Sequence, residues 1–244
     1  MAPLPQNWIE RWNPDPALLL VMSTVAALHL FILLRNGGFR RGRWCFAGGW
    51  VGLALLFVSP LCALSSALFS VRVAHHIALI GLIAPLFVLS FPERWRVSAI
   101  PTAALYTVFV LHTAILWVWH APPAYAAALS NDLLFWAMQL ALAGSALLLW
   151  RGALAASSPL GASLAVLLGS VMQMGLLGAL ITFAPSPLYA PHAATTEPFG
   201  LSALADQQLA GLIMWVPAAL PYLAAALVLL GRRITRAAPA EHAA

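Results

Sequence analysis

Apolar residues in this chain come in long unbroken runs rather than in alternation or in narrow stripes. Seven runs stand out, near 17–34, 44–64, 71–91, 99–119, 133–150, 160–184 and 206–231. Short segments rich in Arg, Pro, Asn and Asp separate them. Each run approaches or exceeds the roughly 20 residues that a helix needs to cross a hydrocarbon layer. A backbone in lipid must satisfy its own hydrogen bonds, so the runs are expected to be helices. The expected fold is all-α: a polytopic membrane helical bundle of seven transmembrane helices. Residues 1–16 would form an external N-terminal segment, with Trp8 and Trp12 resting at a membrane interface. Residues 17–231 would form the transmembrane domain and 232–244 a cytoplasmic basic tail.

Composition supports the same class. Of 244 residues 62% are hydrophobic and 8% charged, and the mean hydropathy is +0.90. Soluble domains carry about 25% charged residues, and disordered chains carry more polar residues than this. All twelve basic residues are Arg. In a seven-span arrangement ten of them (35, 40, 41, 43, 94, 96, 151, 232, 233 and 236) fall on one side and only Arg11 and Arg72 on the other. That bias predicts an external N-terminus and a cytoplasmic C-terminus. Basic residues spread over short loops are no nucleic-acid footprint, which needs one clustered face. Cys45 and Cys62 lie about 25 Å apart along a helix, beyond disulfide reach. Gly48 and Gly52 form a small-xxx-small pair suited to close helix packing. No internal repeat suggests the two inverted halves of a transporter.

Chemistry is sparse. No Asp, Glu or Lys lies mid-span, which argues against a proton pump or ion-coupled carrier. A retinal Schiff base needs a lysine, and there is none. Histidines instead gather toward the outer side. His75 and His76 begin the third span, His120 ends the fourth with His112 two turns deeper, and His192 lies in the outer loop 185–205. Helix rise predicts two layers. The upper holds Arg72, His75 or His76, His120 and Asp206; the lower holds His112, Met174 and Met214. Imidazole with thioether suits Cu(I), and imidazole with carboxylate suits Cu(II) or Zn(II). Each has a plainer reading. Neighbouring histidines point about 100° apart, buried Met is ordinarily packing, and Asp206 is placed to cap its own helix. Arg72 lies one turn before His76 on the same face, and as a cation it opposes a second one unless a carboxylate such as Asp206 or Asp132 offsets it. A metal or solute carrier would need polar residues through the whole bilayer, and the inner half offers only His29, Gln139 and Gln173. A b-type haem would need two histidines at one depth, and His112 has no evident partner. No nucleophile-histidine spacing or carboxylate pair points to an enzyme.

Four segments occur in a telling order: FSVRVAHHIALIGLIAPLFVLSFP, LHTAILWVWHAPPAYAAAL, GALITFAPSPLYAP and DQQLAGLIMWVPAALPYLAAAL. Together, from about Trp44 to Leu230, they resemble the CtaG family of polytopic cytochrome c oxidase assembly factors. The resemblance implies a role in maturing a haem-copper oxidase at its outward-facing copper centre, with oxidase subunits, the lipid bilayer and copper chaperones as partners and no nucleic acid. By motif position His76 matches the second histidine of the family's H-x-x-x-H segment and His120 its WH-x-P histidine. Asp206, Gln207, Met214 and Trp215 match its DQ-x-x-x-G-x-x-MW segment. Arg72 stands where the first histidine is expected, Phe135 and Gln139 stand where histidines are frequent, and His75 replaces a usual Gln. The expected copper ligands are therefore His76, His120 and Asp206, adjusted by His75 or Arg72, with His112 and Met214 below. The alternatives are a copper or small-solute carrier and a metal-free scaffold for an oxidase subunit.

Overall fold

The computed structural model describes residues 2–37, 39–92 and 101–237. The sites of Arg94, Arg96 and His242, the first residues of the expected fourth span, and the tail beyond Ala237 lie outside them. Every regular element among the described residues is helical: α1 (Pro16–Arg35), α2 (Phe39–Phe57), α3 (Pro60–Ala67), α4 (Phe69–Ser90), α5 (Thr102–His120), α6 (Pro122–Ser130), α7 (Asp132–Ala153), α8 (Leu160–Thr182), α9 (Ala203–Trp215) and α10 (Ala219–Ala237). Among the described residues six stretches are long and apolar enough to span a membrane, and there are seven if the bent pair α2–α3 is counted as one span. The last stretch combines α9 and α10 over Ala203–Thr235. The seven expected runs thus reappear with their ends moved by a few residues. One boundary differs more: α10 runs unbroken through Arg232 and Arg233, because nothing there breaks a helix and arginine favours one.

Local chemistry explains the breaks. Between α2 and α3 the chain bends by 49°. Ser59 caps α3 by accepting from the Leu61 N–H at 3.2 Å, and Pro60 opens the helix where its missing N–H costs nothing. The carbonyls released at the bend go to the N-terminal segment. Asn13 donates its side chain to Phe57 at 3.2 Å and its backbone N–H to Val58 at 2.9 Å. That tie docks residues 8–15 onto this end of the bundle.

Helix α4 is the centre of the molecule: 56% of its spanning window is buried, against 17% for α1 and for α5. Its middle, Ala78–Ile83, widens into a π-helix. Pro85 has no N–H to give to the turn before it, and the Trp150 indole donates to the Ile80 carbonyl at 2.7 Å instead. Inserted π turns shift the register of what surrounds them and often accompany functional positions. Helices α8 and α9 touch backbone to backbone: a Cβ on Gly178 would lie 2.7 Å from the Gly211 carbonyl oxygen. Such small-residue contacts are how membrane helices approach closely where hydrophobicity alone gives no drive. Lipid-facing positions carry large exposed side chains, among them Leu20, Leu140, Met172, Phe183 and Leu227.

A buried histidine pair beneath a tyrosine-histidine lid

Helix α4 begins at Phe69 after Leu68, whose side chain has no acceptor to cap it. The cap comes from another helix. Asp206, fully buried on α9, accepts from the Phe69 N–H at 2.6 Å, the Ser70 N–H at 3.2 Å and the Ser70 hydroxyl. A carboxylate is well matched to the positive end of a helix. The reading of Asp206 as the cap of its own helix is corrected here: Ser202 caps α9, accepting from the Ala205 N–H at 3.1 Å. The next residue, Gln207, holds the following loop. Its side-chain oxygen accepts from the Leu188 N–H at 2.6 Å and its amide donates to the carbonyls of Ile181 at 3.2 Å and Ser186 at 3.4 Å.

With α4 fixed this way, its first turns carry Arg72, His75 and His76 into the interior, each 3% exposed or less. The His76 ring meets His120 from α5 edge to face, with centroids 5.6 Å apart and planes at 83°. The tautomer of His120 follows from its partner. Its Nδ1 lies 2.7 Å from the Leu116 carbonyl; a carbonyl only accepts, so Nδ1 carries the proton. Nε2 is left with a free lone pair, which is how imidazole is prepared to bind a metal. The His120 Nε2 and both ring nitrogens of His76 have no hydrogen-bond partner among the described residues. His75 lies 5.9 Å from His76, against the edge of Phe57 at 4.9 Å, and its nitrogens are likewise unpartnered. The Arg72 guanidinium sits 5.2 Å from the Phe135 ring centroid and beside the Tyr125 hydroxyl, leaving Nε and Nη1 without partners.

Above this cluster lies the loop between α8 and α9, a lid that residue patterns did not reveal. The Tyr189 hydroxyl donates to the carbonyl of His120 at 2.8 Å, and its ring stacks on Phe69 at 3.7 Å. His192 Nδ1 faces the Ala67 carbonyl at 3.2 Å and its Nε2 faces the Tyr125 hydroxyl at 2.7 Å. Thr195 donates to the same Ala67 carbonyl at 2.6 Å. The neutral ring therefore donates from Nδ1 and accepts the tyrosine proton at Nε2. Burial lowers the pKa of His192 and raises that of Tyr189. Both stay uncharged at neutral pH, as a lid of neutral hydrogen bonds requires. The signal for this lid was present as aromatic and histidine residues in a loop, but their partners lie up to 125 positions away.

The remaining expected residues are placed elsewhere. His112 pairs with Ser145 across α5 and α7 at 2.8 Å. The serine donates to the Ala141 carbonyl at 2.7 Å, so it accepts from His112. Met174 and Met214 are 3% and 1% exposed and lie within the main hydrophobic cluster. Among the described residues no three His, Cys, Asp or Glu side chains converge as a metal-binding group. The structure joins His76 to His120, with His75 and Arg72 alongside, and takes both carboxylate oxygens of Asp206 for the cap of α4.

A many-helix bundle with apolar, span-length helices and a lidded, buried pair of imidazoles defines an integral-membrane helical protein. Over residues 27–236 the chain matches the family described as cytochrome c oxidase caa3 assembly factor, and it belongs to that family. No curated protein and no solved structure matches it.

Proposed function

We propose that this protein, as an oxidase assembly factor, holds copper transiently on its way to the oxidase. The observation that carries the reading is the His76–His120 pair: two buried imidazoles at 5.6 Å, one with its tautomer fixed by a backbone carbonyl. That separation accommodates one ion about 2 Å from a nitrogen of each ring. Imidazole is a suitable copper donor, and two neutral ligands without a carboxylate favour a loosely held ion, suited to transfer rather than storage. Copper is cargo in this reading, not a resident cofactor, and the role is non-catalytic. Arg72 beside the pair disfavours a permanently bound cation, which again suits release.

The arginine bias supports an orientation in which the lid and the histidine pair face outward from a bacterial inner membrane, the side on which an outward copper centre would be assembled. Oxidase subunits are the receiving partners and a copper chaperone the donor. The test is a His76→Ala/His120→Ala variant expressed at wild-type level in the membrane. The purified variant is expected to retain at least tenfold less Cu(I) than wild type, and the oxidase assembled beside it to be copper-poor. If oxidase copper is unchanged, the reading fails. If oxidase assembly falls while neither protein retains Cu(I), the metal-free scaffold is the correct account.

A further inference from the structure

The end of α8 farthest from the lid begins without a cap. Pro159 precedes the helix, and a proline side chain has no acceptor to offer. The first bond within the helix runs from the Ser163 N–H to the Pro159 carbonyl at 3.0 Å. The N–H groups of Leu160, Gly161 and Ala162 therefore find no acceptor in the helix, and no capping side chain supplies one. Helix α8 is 23 residues long, and its aligned peptide dipoles leave a partial positive charge at this end.

A cavity of about 260 Å³ opens here, between the α7–α8 loop, the first turn of α8 and the last turns of α10. Much of its wall is polar. Arg232 and Arg233 of α10 line it together with Leu160 and Ser163, and no carboxylate among the described residues does. Ser163 is 2% exposed, and its hydroxyl makes no hydrogen bond among the described residues. That hydroxyl is not sealed in; it opens into the cavity that the residue lines. The neighbouring Ser158 hydroxyl, by contrast, is already given to the Gly152 carbonyl at 2.7 Å. Two arginines at a membrane surface are ordinarily explained by snorkelling. Snorkelling does not account for an unpartnered hydroxyl and an uncapped helix start beside them.

We propose that this cavity binds a phosphate group, whose oxygens accept from the Leu160 N–H, the Ser163 hydroxyl and the two guanidinium groups. A helix N-terminus and arginine both favour that chemistry. Leu154 and Leu229 line the same cavity, so acyl chains can continue from a headgroup held there. Basic pockets between spanning helices collect anionic lipids on the cytoplasmic side, and the arginine bias supports that side for this end of α8. An anionic lipid headgroup is thus the favoured source of the phosphate, and a free phosphate ion is the other. The site is at the opposite end of α8 from the histidine pair and does not depend on the copper reading.

Full-length protein in detergent is titrated with phosphatidylglycerol, with phosphatidylcholine of the same chains, and with inorganic phosphate, and bound molecules are counted by native mass spectrometry. Saturable retention of phosphatidylglycerol in preference to phosphatidylcholine is expected. Arg232→Gln/Arg233→Gln should weaken it roughly twenty-five-fold, about fivefold for each arginine. Ser163→Ala should weaken it as well. Pro159→Asp is the sharper variant: its carboxylate caps α8 and takes the place of the phosphate. Thermal unfolding should then shift upward while the preference for phosphatidylglycerol disappears. Saturable uptake of inorganic phosphate, lost in the same variants, upholds the phosphate site and makes its occupant the free ion. Phosphatidylglycerol held no better than phosphatidylcholine, with no inorganic phosphate bound, overturns the proposal. So does a preference unchanged in a folded Pro159→Asp or Ser163→Ala protein, which would leave the arginines acting alone at the membrane surface.

Discussion

Depth along the helices groups Asp206 with the histidines, which invites two roles, helix cap and metal ligand, and two substitutions separate them. In the structure its oxygens are engaged by Phe69 and Ser70 at the start of α4. Asp206→Ala leaves two backbone N–H groups buried without acceptors. Each costs about 1–3 kcal/mol, so the loss is about 2–6 kcal/mol. The Ser70 hydroxyl can rotate toward a backbone carbonyl and adds little. Asp206→Asn keeps an oxygen for Phe69 but exchanges charged hydrogen bonds for neutral ones, a loss of about 1–3 kcal/mol. Thermal unfolding of the detergent-solubilised protein, followed by circular dichroism at 222 nm, roughly the helix band, should rank wild type above Asn and Asn above Ala. Cu(I) retained per folded molecule should stay near wild type in the Asn variant, because the His76–His120 pair remains in place. An Asn variant as stable as wild type that has lost its copper would refute the reasoning and return Asp206 to the ligand set.

The lid should open with acid. Burial lowers the His192 pKa below its ordinary 6.5, so the unfolded or opened loop binds a proton more readily than the closed one. The lid's stability is then fully present above 6.5 and is lost as pH falls through the lowered value. Asp206 and Arg72 act on this ring with opposite sign, and Tyr125 and Ala67 are its direct partners. Amide exchange of residues 186–200 should accelerate below about pH 6, in keeping with a histidine titration, and a His192→Gln variant should flatten that dependence. The α8–α9 contact gives a packing test. A Cβ on Gly211 would lie 2.7 Å from the Thr182 backbone nitrogen, where no side-chain rotation relieves it. Gly211→Ala should cost about 1–3 kcal/mol in thermal stability. It should also weaken Cu(I) retention, because Asp206 on the same helix would no longer hold α4 in register.

How much of the molecule was legible beforehand varies by kind of feature. The spans were legible because crossing lipid imposes a local rule of length and apolarity on every segment. The pairing of His76 with His120 was anticipated from depth, since rise per residue converts sequence position into height along parallel helices. Helix rotation was not, and rotation decides partners. The same depth argument set Asp206 beside the histidines, whereas the fold turns its carboxylate to the N-terminus of α4. His112 and Met214 shared an expected layer, but one is tied to Ser145 and the other lies in the hydrophobic cluster.

The sequence by itself determined that this is a many-helix membrane protein, where its long apolar runs lie, and which residues have any chemistry to offer. Only the tertiary structure decided that a loop closes over the histidines and that a carboxylate from α9 starts α4. The first set depends on short-range rules of chain and solvent, which each segment obeys alone. The second depends on how helices rotate and cross, set by contacts between residues more than a hundred positions apart, which no single segment encodes.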